Sequence, residues 1–210
     1  QQLTVIQQLQ LMVKVCNAVA YAHQNMVVHC DLKPSNILIT DSGEPKLLDF
    51  GIARLLHRTA VTGGHNEPAP RRLTLRYASP ELINSGQVSS LTDVYSLAVI
   101  LQQLLGQQPA TDLAWILSRA LAHNSAQRYH SVAAFANDLK RYLGGYPVQA
   151  RPDSWWYRSQ KFIRRNLASS LLSAAALLAV LGFSIAIGLQ SQQVAAQRDQ
   201  ARLQRDKAQA

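Results

Sequence analysis

The sequence predicts a mainly α fold with one short β-hairpin, followed by a single membrane-spanning helix, and three patterns predict it. Apolar residues return at helical spacing over long stretches. Two short apolar runs flank the turn-forming Asp41-Ser42-Gly43. No charged residue interrupts Leu167 to Leu189.

In the first stretch, Leu3, Ile6, Leu9, Met12, Val13, Cys16, Val19, Ala20 and His23 fall three or four apart, which puts them on one buried face of a helix that Asn25 stops. Val27-Val28 and Ile37-Leu38-Ile39 are expected as short strands around a polar loop, with Lys46-Leu47-Leu48 as the return strand. Residues 60–72, rich in Gly, Pro, Thr and Arg without a period, are expected as a mobile loop. Val94–Leu105 is nearly all apolar and predicts a buried helix; Thr111–Ala122 and Ser131–Leu143 predict two more. Gly144-Gly145-Tyr146-Pro147 closes the globular part, so the expected division is a globular lobe over 1–147, a basic linker over 148–166, the span over 167–189 and the start of a helical extracytoplasmic region over 190–210. The span exceeds the roughly 20 residues that cross a bilayer core, and its small residues, Ser169, Ser170, Ser173 and Gly182 among them, would let a second copy pack closely, so a homodimer is an expectation.

A chain of 210 residues, 48% hydrophobic, has enough apolar content for a real core. Its net charge of +9 suits nucleic acid or an anionic membrane. Placement decides for the membrane, because Arg151, Arg158, Lys161, Arg164 and Arg165 gather just before the span while no zinc-ligand spacing or aromatic-basic interleaving supports nucleic acid. Cys16 and Cys30 form no CxxC or His/Cys cluster, so neither a disulfide framework nor a structural metal is expected. The chain opens on Gln1 within an amphipathic stretch, so further sequence is expected upstream.

The chemistry-bearing residues are concentrated in Val28-His29-Cys30-Asp31-Leu32-Lys33-Pro34-Ser35-Asn36, which offers a carboxylate, an ammonium and a carboxamide in one loop, followed by a strand and Asp49-Phe50-Gly51. Phosphoryl transfer needs such parts: a carboxylate at the acceptor hydroxyl, metal-binding oxygens near the phosphates and a cation to offset charge. Ser79-Pro80-Glu81 follows. In this order and at these intervals the motifs resemble those of a bacterial eukaryotic-like (Hanks-type) serine/threonine protein kinase, over residues 1–147, its carboxy-terminal lobe.

The resemblance implies an enzyme that transfers the ATP γ-phosphate to protein hydroxyls with Mg2+. Asp31 would orient the hydroxyl, Lys33 would neutralise the transferred group, and Asn36 and Asp49 would hold magnesium. It also implies structural roles: His29 supports the loop, Gly51 supplies a permissive backbone, Thr74 contacts the substrate loop, and Glu81 pairs with Arg128 to anchor the lobe. Asp93 resembles the helix-start aspartate that braces the catalytic loop, and helix capping accounts for it equally well.

The sequence departs from the family in several places. Cys30 stands where most relatives carry Arg, and a thiol cannot read a phosphorylated loop as a guanidinium does, so Thr59, Thr62 and Thr74 are not assumed to be switches. Few residues separate Leu105 from Asp112, which trims the substrate-docking region, and Ala98 replaces a usual Gly. No Gly-rich phosphate loop, strand lysine or partner Glu helix occurs, so this chain alone lacks most of an ATP site. The alternative reading is therefore a catalytically inactive pseudokinase or membrane scaffold. Arginines before the span and their absence just after it place the kinase part in the cytoplasm of a single-pass protein of the inner (plasma) membrane. Trp155, Trp156 and Tyr157 suit an interfacial anchor or packing on the lobe.

Overall fold

The computed structural model describes residues 3–50, 75–106 and 111–208. It divides into two compact units, Gln1–Arg158 and Ser159–Ala210.

The first unit opens with α1 (Val5–Gln24), whose start is fixed by a capping box: Thr4 Oγ1 accepts from Gln7 N–H at 3.3 Å while Gln7 Oε1 accepts from Thr4 N–H at 2.9 Å. A 3₁₀ turn (Pro34–Asn36) leads into β1 (Ile37–Ile39), which pairs antiparallel with β2 (Pro45–Leu47) in the register Ile37 to Leu47. Gly43 turns between them at a φ of 74°, the left-handed region that glycine enters without penalty. Among the described residues α2 (Pro80–Asn84), α3 (Ser90–Leu105), α4 (Thr111–Ala120) and α5 (Val132–Leu143) follow.

α1 lies principally against α5 and also meets α3 and β2. Leu9, Met12, Cys16 and Val19 of α1, Leu97 and Leu101 of α3, Ile116 of α4 and Phe135 and Leu139 of α5 are wholly buried or nearly so. Burial pushes the Cys16 thiol up to about 12, so it is an inert part of this core.

The expected buried face of α1 is correct from Leu9 onward, but Leu3 and Ile6 are 47% and 60% exposed because the first turn runs beyond the core cluster. Val27-Val28 is not a strand. The amides there are already engaged: Val27 N–H bonds Ala22 O at 3.0 Å, and those of His29 and Cys30 go to a side chain described below. The loop expected over 60–72 lies outside the described residues, as do Gly51 and Thr74.

The packed unit also runs past Pro147. Asp138 of α5, fully buried, accepts from Tyr129 Oη at 2.7 Å and from the amides of Gln149 and Ala150 at 2.6 and 2.8 Å. Burial and this carboxylate both raise the Tyr129 phenol pKa, so Tyr129 stays a proton donor. Arg119 and Arg141 donate to the carbonyls of Gln149 and Pro147 at 3.1 and 2.7 Å. Beyond this strap α6 (Trp155–Arg165) begins; Tyr157 is buried, while Trp155 and Trp156 are exposed.

The second unit contains the rest of α6 and α7 (Leu167–Ala208). Within α7, Leu167–Ile185 is long and apolar enough to cross a membrane, and none of it is buried in protein.

Candidate active site

The loop after α1 is built around one carboxylate. Ser89 caps α3, with Leu91 N–H donating to its hydroxyl at 3.2 Å, so the cap position is filled before Asp93 is reached. Asp93 lies inside the helix, 0% exposed, and faces back toward the loop. Its Oδ2 accepts from His29 N–H at 2.9 Å and from His23 Nε2 at 2.8 Å, and its Oδ1 accepts from Cys30 N–H at 2.9 Å. Capping therefore does not account for Asp93; it is the fixed point from which residues 29 and 30 hang. Its place near the helix N-terminus favours the negative charge there.

Cys30 adopts a φ of 65° and Asp49 one of 49°, left-handed conformations that cost a non-glycine residue energy and persist where surrounding bonds impose them. The two Asp93 bonds to His29 and Cys30 impose the first. The turn aims the next residue, Asp31, into a compact polar group. Lys33 Nζ lies 2.9 Å from Asp31 Oδ2, and Asn36 Nδ2 donates to the Asp31 carbonyl at 2.9 Å and approaches Oδ2 at 3.4 Å. Asn36 is buried; Asp31 and Lys33 are partly open to solvent.

The hairpin ties Asp49 to this group. Leu48 N–H donates to Asn36 O at 2.9 Å, extending the strand pairing by one step. His29 Nε2 lies 3.0 Å from Leu48 O; a carbonyl only accepts, so Nε2 carries the proton, which leaves Nδ1 as the acceptor facing Asp31 N–H at 3.4 Å. The His29 ring also lies against Phe50, with ring centroids 4.8 Å apart. Asp31 and the residue before Asp49 are thus joined through one buried imidazole.

Glu81 and Arg128 form a separate pair. Arg128 Nη1 and Nη2 reach Glu81 Oε1 and Oε2 at 2.7 Å each, and Nε donates to Ala122 O at 2.7 Å. The guanidinium also donates to Leu91 O and His123 O and lies 5.0 Å from the centre of the Tyr95 ring. Burial pushes the Glu81 carboxyl pKa up, but the Arg128 hydrogen bonds and charge, with a backbone bond, outweigh it and hold the pKa below its ordinary 4.5. A lowered folded-state pKa means the pair contributes fully above that ordinary value and is lost as pH falls through the folded one. Acid titration followed by tryptophan emission should therefore show folded protein lost below pH 4.5, with a shallower slope in Glu81→Gln, which has no carboxylate to protonate at that position.

The structure thus brings Asp31, Lys33, Asn36, His29 and Asp93 together, with Asp49 two residues beyond the end of β2. Sequence reasoning missed the imidazole of His23, which it assigned only to an apolar face. The available signal was its position in the last turn of α1, where a polar ring among apolar neighbours needs a partner.

Helices, a polar loop, a hairpin and a Glu-Arg pair thus make up the lobe that carries these residues. The family described as Protein kinase domain matches residues 2–138, and the chain belongs to that family. It is similar to the serine/threonine-protein kinase PknB of Mycobacterium tuberculosis H37Rv, 30% identical over 198 residues that cover 80% of this chain and 30% of the relative. PknB of Mycobacterium leprae is 30% identical over 174 residues, covering 69% of this chain and 27% of the relative. PrkC of Bacillus subtilis is 37% identical over 119 residues, covering 57% and 18%. The chain therefore spans less than a third of the length of these relatives.

Proposed function

We propose that this chain is the carboxy-terminal lobe of a membrane-anchored serine/threonine kinase that moves the γ-phosphate of ATP to Ser or Thr hydroxyls of protein substrates. The observation that carries the reading is the Lys33-Asp31-Asn36 group, held by Asp93 and joined through His29 to Leu48, the residue before Asp49.

In this reading Asp31 accepts the hydroxyl hydrogen bond and aligns the attacking oxygen. Lys33, already at the carboxylate, offsets charge on the transferred group as it passes to the acceptor. The Asn36 amide nitrogen is committed to the Asp31 carbonyl, which leaves Oδ1 as the acceptor end; with the Asp49 carboxylate it supplies the hard oxygens that suit Mg2+. Among the described residues no cluster of three or more His, Cys, Asp or Glu occurs, which suits an ion held by one or two protein oxygens together with phosphates. When bound, that ion would neutralise phosphate charge. His29 and Asp93 keep the loop in the shape the chemistry needs. α7 is the proposed anchor, with the cationic residues before Leu167 on the cytoplasmic side.

The test is phosphate transfer from labelled ATP by the full protein, including whatever coding sequence lies upstream, beside Asp31→Asn. The variant is expected to lose at least about a hundredfold in rate with its folding intact. No transfer by the full protein across several substrates and divalent ions would overturn the catalytic reading in favour of a pseudokinase.

A further inference from the structure

We propose that α6 is a lipid-surface helix that docks on anionic phospholipid headgroups, a role that deepens the membrane part of the proposed function and rests on it only through α7.

On a 3.6-residue period, Trp155, Trp156, Phe162 and Ile163 share an arc of about 120° of α6, and Arg158, Lys161, Arg164 and Arg165 share another about as wide. The apolar arc is bare, with exposures of 78% and 71% for the tryptophans, 57% for Phe162 and 48% for Ile163. Tyr157 lies on the opposite side of the helix and is held to the first unit, with its Oη accepting from Val148 N–H at 3.1 Å and the Arg151 guanidinium 4.2 Å from its ring centre. The near end of α6 is therefore fixed in rotation about its own axis, with both indoles facing away from the protein.

The charges select the occupant. α6 contains no acidic residue, and Asp153 just before it is engaged with Arg158 at 3.1 Å. A second copy of α6 laid against this one would set like charges against like, whereas an anionic surface is attracted. Indole and phenyl rings on one face, with the cations and Tyr157 on the other, match the layer where headgroups meet acyl chains, in which amphipathic helices of this composition lie.

Position agrees. Asn166 alone separates α6 from α7, and the 11 residues of α6 span about 16 Å. Asn166 N–H bonds Phe162 O and Ile163 O at 3.0 and 3.2 Å, closing α6, and its carbonyl accepts from Ser170 N–H at 2.9 Å, opening α7.

The test uses the full chain with Trp115→Phe, so that emission reports only Trp155 and Trp156. It is reconstituted in vesicles of phosphatidylcholine alone or with phosphatidylglycerol, either kind including phosphatidylcholine brominated near the headgroup end of its chains, and flotation is measured in parallel. In phosphatidylglycerol vesicles the emission should shift to the blue and lose roughly half its intensity to bromine. The loss should shrink at high salt and in the combined variant Arg158→Gln, Lys161→Gln, Arg164→Gln, Arg165→Gln. Flotation with both vesicle types and unquenched tryptophans would overturn the proposal while leaving the α7 anchor intact. Equal quenching in both lipids would overturn the headgroup selectivity, and flotation with neither would overturn helix and anchor together. Flotation only with anionic vesicles would support α6 and count against the anchor.

Discussion

Replacing Arg128 with Met is expected to cost about 3–5 kcal/mol of folding stability, measured as a lowered urea midpoint of the full chain in mild detergent. Arg128 is 3% exposed, and its guanidinium serves the Glu81 carboxylate in a two-bond fork together with the carbonyls of Ala122, Leu91 and His123. Methionine fills much of the volume but leaves a partly buried carboxylate without its counter-charge and three carbonyls without a donor. The cost is therefore that of stranding those groups, and it exceeds what the intact pair adds over an apolar replacement. Arg128→Lys should fall between, because an ammonium keeps the charge and loses the planar fork. A loss under about 1 kcal/mol, the size of an exposed surface pair, would refute this account of the pair.

The Asp138→Ala variant should lose about 3 kcal/mol or more. Tyr129 Oη and the amides of Gln149 and Ala150 all converge on this carboxylate, so the substitution orphans three donors at once. Tyr129→Phe removes one of the three and should cost only about 1 kcal/mol. Hydrogen exchange gives the local reading: protection of the Gln149 and Ala150 amides should collapse in Asp138→Ala and persist in Tyr129→Phe. Unchanged protection in the alanine variant would mean that something other than Asp138 fastens this segment.

These two carboxylate networks differ in how far the sequence exposes them. Asp31, Lys33 and Asn36 lie within one loop, so their proximity follows from chain length alone, and a strand on each side of Asp41-Ser42-Gly43 makes the hairpin equally plain. Glu81 and Arg128 are separated by the rest of α2 and the whole of α3 and α4, and periodicity contains nothing that joins them; only the resemblance to protein kinases did so. Asp93 was ambiguous because a carboxylate in a first helical turn serves as a cap in most helices, and the presence of Ser89 at the cap position settles the matter only once the helix start is known. Asp138 was invisible for a different reason. Its two backbone donors belong to a Pro-rich stretch that composition assigns to a linker, and nothing local signals that the stretch returns to α5. The strand expected at Val27-Val28 failed by the same physics, since apolar β-branched residues mark a strand only if their amides are free to join a ladder, and there the amides are engaged elsewhere.

The strap on Asp138 also sets the shortest length at which the first unit can stand alone. A chain cut after Pro147 would retain α1 to α5 and nearly all of the apolar core, yet it would leave a fully buried negative charge with the Tyr129 hydroxyl and no backbone amide from the strap. A chain cut after Arg158 keeps both amides and the buried Tyr157 that holds Val148. The minimum is fixed by the neutralisation of one carboxylate and lies beyond the point at which most of the apolar core is already in place.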